Sequence, residues 1–351
     1  MQNKRAFYMN VKDKILGSIL GAAVGDAMGA VTETRSIERI KEDFGGFVDD
    51  LLLPPDDCFA HGYPVGAVTD DFSLAYFTGK ALAESEGKVT EETAKKALLT
   101  WADYPEYVRF AGPTTEAAIK KLKGEEVYNP RGYIAANNLS GTNGSGMKIF
   151  CVGLINPGNV DKAIDDTITM CAPTHNNTAA LAGGASIAAA VACAMGENAT
   201  LDDVIAAGIY GARKGYALAQ KTAARLAVPN IEKRTILAVD LAVHCVNRGM
   251  SWEETMTEIR DIVGAGLNCH EAMPCVFAIL AATRGDAMSG IKMGVNIGDD
   301  TDTIATMVGA IAGALYGVSN IPERYIDVIE KANRDIDLRG LAREIEEKFY
   351  K

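Results

Sequence analysis

Two short acidic segments carry the side chains best suited to chemistry. They are residues 68–72 (VTDDF) and residues 298–303 (GDDTDT), and each opens an apolar run with helical spacing. A carboxylate at the start of a helix caps free N–H groups and offsets the positive end of the dipole. That role explains one or two carboxylates per helix, whereas the second segment places three within four positions. Carboxylates crowded at a buried helix start repel one another unless a cation or protons intervene.

The potential ligands in both segments are carboxylate and hydroxyl oxygens, with no Cys or His among them. Such hard donors favour magnesium, manganese or calcium over zinc. A calcium-binding EF-hand loop starting at Asp300 is excluded, because it lacks the Gly required at its sixth position and the Glu at its twelfth. We therefore favour a site for hard divalent cations, with a purely structural capping cluster as the alternative.

The elements that must position these segments are predicted to be α-helices, because strand-like alternation is scarce and helical spacing dominates. A first helix contains the apolar stripe that begins at Ile15, and residues 47–66 and 128–146 are predicted to be loops. The further helices are predicted at residues 70–86, 91–103, 114–123, 160–171, 177–195, 201–226, 231–247, 252–264, 271–284, 286–295, 303–316, 322–333 and 338–349. No low-complexity linker divides the chain, so we predict one all-α domain over residues 1–351.

Glycine recurs at every fourth position of the first helix, at Gly17, Gly21, Gly25 and Gly29. Each Gly costs a helix about 1 kcal/mol relative to Ala, so four in register indicate a packing requirement. We predict a smooth ridge against which another backbone lies closely. The apolar stretch 179–195 is Gly-rich and too short for a membrane span, and it is predicted to be a buried core helix.

The charge balance argues against nucleic-acid and membrane partners. The chain has 46 acidic and 35 basic residues, a formal net charge of −11, and a field of that sign repels polyanions and anionic membranes. Its seven cysteines are odd in number and contain no CxxC pair, so we predict mostly buried free thiols in a reducing compartment. The N-terminus lacks a secretory apolar core, which predicts a cytoplasmic location.

Three segments, taken together and in this order, resemble the ADP-ribosylglycohydrolase family. They are residues 17–33 (GSILGAAVGDAMGAVTE), the first acidic segment, and residues 271–305, which run from EAMP to IGDDTDTIA. The resemblance extends from residue 15 to about residue 317. It implies a single compact all-α domain with two magnesium ions at the base of a cleft, manganese or calcium being possible replacements.

The resemblance also implies roles for individual residues. Glu33, next to Arg35, falls where the family has an acidic residue near the metals and the scissile bond, although the residues alone favour a solvated surface glutamate. Proton transfer is assigned to Glu33 or to one of the metal-bound carboxylates Asp71 and Asp302. The implied metal ligands are Thr69, Asp70, Asp71, Asp300, Asp302 and Thr303.

Residues 141–148 (GTNGSGMK) are similar to a family loop that helps to bind the phosphate and distal ribose of the ligand. The substrate-binding positions implied there are Asn143, Gly144 and Ser145, since Gly lets backbone N–H groups approach phosphate oxygens. The resemblance adds His175, in the sequence APTHNNTAA, as a residue near the ligand; a capping or core histidine is the alternative.

Two residues depart from the family pattern: Lys148 replaces an Arg, and Asp299 replaces a Gly. A third residue, Asp26, matches the family, and we interpret it as a structural helix residue.

The implied activity is metal-dependent hydrolysis of an N- or O-glycosidic ADP-ribosyl bond, in an ADP-ribosylated protein or a small ADP-ribosyl compound. One alternative is a nucleosidase-like hydrolase of a small ribosyl compound. A second is a non-catalytic metal-binding or crystallin-like structural protein, although six oxygen donors in two places argue against a retired site.

Overall fold

The computed structural model describes residues 10–127 and 138–350, and the regular elements in these ranges are helices. The α-helices are α1 (Val11–Gly29), α2 (Ile37–Phe44), α3 (Asp70–Glu84), α4 (Glu91–Trp101), α5 (Pro105–Val108), α6 (Pro113–Leu122), α7 (Gly144–Met147), α8 (Phe150–Leu154), α9 (Val160–Cys171), α10 (Thr178–Ala194), α11 (Leu201–Thr222), α12 (Ile231–Asn247), α13 (Trp252–Val263), α14 (Cys269–Ala282), α15 (Ala287–Asn296), α16 (Thr301–Tyr316), α17 (Arg324–Ala332) and α18 (Leu338–Phe349). They enclose one large apolar core, with a small separate cluster of Ile164, Ala185 and Ala189. The predicted all-α class and single compact domain are confirmed.

Helices α1 and α16 form the closest helix pair of the core. A Cβ added at Gly17, Gly21, Gly25 or Gly29 would lie closer than 3.0 Å to backbone atoms of α16. Helix α16 has Gly or Ala at three of these contacts (Ala305, Gly309 and Gly313) and the backbone of Asp302 at the fourth, so the two backbones touch with no side chain between them. The predicted glycine ridge is therefore confirmed, and its partner is the helix that carries the second acidic segment.

Helix α10 is the apolar stretch predicted to be a core helix. All of its residues except Cys193 are buried, and helices α9, α11 and α14 pack around it. This prediction is confirmed. Across the described ranges, no helix combines the length and apolarity needed to span a membrane.

Some element boundaries differ from the prediction. The short helices α2, α5, α7 and α8 were not predicted, because four to eight residues give too little periodicity. Helix α11 ends at Thr222, not near residue 226, because Ala224 pairs with residues 176–178: its N–H donates to Asn176 O and its carbonyl accepts from Thr178 N.

The predicted loop at residues 47–66 contains no helix, as expected. The predicted loop at 128–146 lies partly outside the described residues, and its last part forms α7. All seven cysteines are free thiols, and Cys58 and Cys193 alone among them are partly exposed.

Candidate functional site

The two acidic segments meet in one cleft. Thr69 is the N-cap of α3 and Asp300 the N-cap of α16, so both helices begin at the same place, beside Glu33 from the turn after α1. The cleft has a volume of about 610 Å³, including the part that is open to solvent. It is lined by Glu33, Asp70, Asp71, Phe110, Gly112, Pro113, Thr114, Thr115, Thr142, Asn143, Gly144, Met147, His175, Leu267, Asp300, Asp302 and Thr303.

The carboxylates form two groups that share one residue. Asp26, Asp71 and Asp302 each place an oxygen within 4.8 Å of the others, and so do Glu33, Asp300 and Asp302. Spacing of this order lets three carboxylates converge on one cation. Asp302 therefore stands where it could contact ions in both groups.

Asp26 organises the start of α3. Its buried carboxylate accepts hydrogen bonds from the backbone N–H of Thr69 and of Phe72, both at 2.9 Å, and from the Thr69 hydroxyl at 2.9 Å. This agrees with the structural role inferred from the sequence. The same carboxylate also lies against Asp71 and Asp302, which sequence reasoning missed. The signal was an aspartate in the middle of an otherwise apolar, glycine-ridged helix.

Two threonine hydroxyls connect the acidic segments. Thr303 Oγ1 donates to Asp71 Oδ1 at 3.0 Å and so joins α16 to α3. Thr69 Oγ1 donates to Asp26 and accepts from the backbone N–H of Asp71 at 3.3 Å. Both predicted hydroxyl ligands are thus within the cluster, and each now holds a carboxylate in place.

Burial raises the pKa of every carboxyl group in this cluster, and repulsion between neighbouring carboxylates adds to the effect. The pKa rises to about 6 for Asp302, to about 7 for Asp26 and to about 10 for Glu33, and it lies well above the usual range for Asp70, Asp71 and Asp300. Six such groups together strongly favour bound positive charge. A pair of divalent cations would supply that charge through the hard oxygen ligands they prefer.

Glu33 reaches the cluster because the backbone around it is fixed by paired turns. Thr34 N donates to Asp299 O at 2.7 Å, and Asp299 N donates to Arg35 O at 2.9 Å. Thr34 and Asp299 both have positive φ, at 65° and 66°, a costly conformation for residues other than Gly. Arg35 forms its ion pairs with Asp43 and Asp57. The surface alternative for Glu33 is therefore excluded: its carboxylate faces the acidic cluster.

The three residues predicted to bind the ligand in this loop do not all face the cleft. The Asn143 amide donates to the Asp300 carboxylate, and Gly144 lies in the cleft wall, where a Cβ would come within 2.8 Å of His175 Nε2. Ser145 is fully buried, and its hydroxyl donates to Ala180 O at 2.6 Å. The helical turn of α7 rotates this side chain towards α10. The structure thus places Asn143 and Gly144 at the cleft and the Ser145 side chain outside it.

His175 lies in the cleft wall, and each ring nitrogen is next to a threonine hydroxyl. Nδ1 is 2.8 Å from Thr174 Oγ1, and Nε2 is 3.2 Å from Thr142 Oγ1. Burial, together with the nearby charge of Lys148, lowers the pKa of His175 well below its usual value, so the ring is neutral. It therefore contributes a neutral polar edge to the cleft.

Comparisons with known proteins identify the family of this chain. A family model described as ADP-ribosylglycohydrolase matches residues 8–351. The chain is 31% identical over 322 residues to YegU of Escherichia coli (strain K12), covering 88% of this chain and 89% of that protein. It is 23% identical over 324 residues to the ADP-ribosylarginine hydrolase Tri1 of Pseudomonas putida (strain GB-1), covering 90% and 74% respectively.

Two further similarities are partial or structural. An 81-residue stretch is 35% identical to the human ADP-ribosylhydrolase ARH3, covering 20% of this chain and 22% of that protein. A solved structure titled ADP-ribosylglycohydrolase-related protein complex superposes with a TM-score of 0.62 at 19% identity, covering 96% of this chain and 98% of that one. The whole-length family match, together with the full-length relatives, shows that this chain belongs to the ADP-ribosylglycohydrolase family.

Proposed function

We propose that this protein is a magnesium-dependent glycosidase that hydrolyses an ADP-ribosyl bond. The observation that carries the proposal is the presence of two clusters of three carboxylates at the base of the cleft, with Asp302 in both. Family membership supports hydrolysis of ADP-ribosyl compounds in general. The relatives named ADP-ribosylarginine hydrolase and ADP-ribosylhydrolase support this substrate class.

The residues present fit two magnesium ions. The proposed ligands are Thr69, Asp70, Asp71, Asp300, Asp302 and Thr303, and the structure adds Asp26 and Glu33 beside them. Their donor atoms are all oxygen, and their raised pKa values favour bound positive charge. When bound, such ions would polarise water and orient the two vicinal hydroxyls of a ribose. Manganese or calcium could occupy the same ligand set.

Cleavage of a glycosidic bond to ribose passes through a state with positive charge on the sugar. The carboxylates of Asp71 and Asp302 lie at the base of the cleft, where they stabilise that charge. Glu33 stands at its edge, half-buried, with a carboxyl group whose pKa is raised to about 10. It is placed to transfer a proton at the reacting centre, a role that Asp71 or Asp302 could share.

The diphosphate of the ligand would bind in a part of the cleft that has no positively charged side chain among the described residues. None of the described residues that line the cleft is Lys or Arg. A diphosphate would therefore be held by neutral donors, such as the backbone of Gly144 and the edge of His175. Cations held by the carboxylates at the base of the cleft would compensate their charge, so the negative charge of the diphosphate would be tolerated.

The test is a panel of ADP-ribosylated arginine, ADP-ribosylated serine, O-acetyl-ADP-ribose and simple nucleosides, incubated with and without magnesium. The proposal expects release of ADP-ribose from at least one of the first three, in the presence of magnesium only. Cleavage of nucleosides alone would move the assignment to a nucleosidase-like hydrolase. Tight magnesium binding without any hydrolysis would indicate a non-catalytic metal-binding protein.

A further inference from the structure

Lys148 is a buried lysine directly behind the cleft wall. Lys148 directly follows α7 in the chain and is 5% exposed. Its Nζ donates a hydrogen bond to Thr174 Oγ1 at 2.5 Å. That hydroxyl is the one hydrogen-bond partner that the described residues give to Nζ. A buried ammonium group with a single neutral acceptor costs folding free energy, and burial lowers the pKa of Lys148 accordingly. A function of Lys148 would explain why a lysine is buried at this position.

The Thr174 hydroxyl lies between Lys148 and His175 and is within hydrogen-bond distance of both. Because this oxygen accepts a hydrogen bond from Lys148, its own O–H must donate to another acceptor. His175 Nδ1 lies 2.8 Å away and Cys171 O 3.3 Å away. Cys171 O already accepts the backbone N–H groups of Thr174 and His175, at 3.2 and 2.8 Å. The closer and less occupied acceptor is Nδ1, so the hydroxyl donates to the imidazole ring.

The direction of that bond decides which nitrogen of His175 carries the proton. A neutral imidazole has one donor and one acceptor nitrogen. If Nδ1 accepts from Thr174, Nε2 carries the hydrogen, and this nitrogen lies at the cleft wall beside Gly144 and 3.2 Å from Thr142 Oγ1. An N–H at this edge attracts an anionic oxygen, whereas a lone pair there would repel it.

We propose that Lys148 is a positioning residue that, through the Thr174 hydroxyl, holds His175 as the Nε2–H tautomer and thereby gives the cleft a hydrogen-bond donor for a phosphate oxygen of the ligand. The identity of that ligand rests on the proposed function. The relay itself does not, because Lys148, Thr174 and His175 are joined by contacts within the protein.

The relay is tested first without any ligand, by nitrogen NMR on protein labelled with ¹⁵N-histidine. The chain has four histidines, so a His175→Gln variant identifies the signals of this ring. The proposal expects Nδ1 unprotonated and Nε2 protonated in the wild type. It expects an Nδ1–H population to emerge in Lys148→Met and in Thr174→Ala, and the wild-type tautomer to persist in Thr174→Ser. An Nδ1–H ring in the wild type, or an unchanged tautomer in Lys148→Met and Thr174→Ala, would overturn it.

Ligand binding provides the second readout. Affinity for ADP-ribose, measured by calorimetry with magnesium present, should fall about tenfold in Lys148→Met and recover in Thr174→Ser relative to Thr174→Ala, as expected for one hydrogen bond to a charged group. The melting temperature of Lys148→Met should equal or exceed that of the wild type, since a buried charge is removed. Unchanged affinity with a changed tautomer would overturn the ligand contact. Absence of ADP-ribose binding in the wild type would count against the proposed function and leave the tautomer result standing.

Discussion

At the scale of single residues, the cleft concentrates carboxylates that would repel one another in isolation. Asp302 belongs to both groups of converging oxygens, and Asp26 supports one of them from within α1. Such crowding destabilises the folded protein unless protons or cations offset the negative charge. The raised pKa values of the six buried acids reflect this. Binding of hard cations is a purpose that fits both the donor atoms and the electrostatics.

Asp302→Asn should reduce turnover by more than about 100-fold, the upper end of the loss seen when residues that merely support a metal ligand are replaced. The same change removes one repelling charge, so the melting temperature of the metal-free variant should equal or exceed that of metal-free wild type. Kinetics and thermal melts on the same preparation separate the two effects. Asp202→Asn makes the same chemical change in the exposed first turn of α11 and should alter neither. Wild-type turnover in Asp302→Asn would remove this residue from the reaction.

The raised pKa values predict how the stability of chelated protein depends on pH. In the folded protein the pKa is about 6 for Asp302, about 7 for Asp26 and about 10 for Glu33, all above the values of the unfolded chain near 4. Between these limits the folded state binds more protons than the unfolded state, so stability falls as pH rises. Thermal melts in EDTA should therefore show a lower melting temperature at about pH 8.5 than at about pH 5.5, and magnesium should restore more stability at the higher pH. A chelated protein that becomes more stable over this range contradicts the account.

Part of this chemistry could be predicted from the sequence. Three carboxylates within four positions signalled the second acidic segment, and the family resemblance supplied Glu33. The inner contacts of Asp26 were not predicted, because an aspartate in a helix gives no indication of which other helix it faces. The Ser145 side chain was misplaced, because the four residues of α7 are too few to show that they turn this hydroxyl towards α10.

At the scale of elements, the helix pair α1–α16 holds the acidic segments in register. The start of α16 lies against the end of α1, where Gly29 approaches the backbone of Asp302. A side chain at this contact would separate the helices that carry Asp26 and Asp302. The glycine ridge therefore supports the site as well as the core.

Gly25→Ala tests that arrangement. In an ordinary helix interior this change stabilises by about 0.5–1 kcal/mol, but here a Cβ would collide with the backbone of Ala305. We expect a net loss of about 2 kcal/mol or more, because backbone atoms cannot move aside as a side chain can. Gly79→Ala is the matched control in α3, where a Cβ would meet the Cys151 and Leu341 side chains, and its loss should be smaller. Chemical denaturation of both variants measures the difference, and a stabilised Gly25→Ala would contradict the packing argument.

The long helices could be predicted well because they have many apolar residues at regular spacing, as α10 and α16 do. The end of α11 could not, because it is decided by hydrogen bonds between Ala224 and residues far along the chain. The ridge of Gly17 to Gly29 predicted a close partner but not its identity, since local spacing contains no information on which helix lies opposite.

At the scale of the whole molecule, the net charge of −11 gives no general attraction for anions. Under the proposed function, any preference for ADP-ribose must therefore come from the cleft, which would hold the ribose diol and a phosphate at two regions at once. We expect metal-loaded protein to bind ADP-ribose more tightly than ribose or AMP, because a tethered ligand avoids a second association cost. Calorimetry at fixed magnesium provides the comparison. Equal or tighter binding of a nucleoside would favour the nucleosidase-like alternative.

The most direct test of the central claim is the rate of ADP-ribose release from the preferred substrate before and after removal of metal. Protein treated exhaustively with EDTA, and shown to be metal-free by elemental analysis, should lose hydrolysis and regain it on addition of magnesium. Asp302→Asn should show no recovery at magnesium concentrations that restore the wild type. Full hydrolysis by verified metal-free protein would contradict the account, because the reaction would then proceed without a cation in the carboxylate cluster.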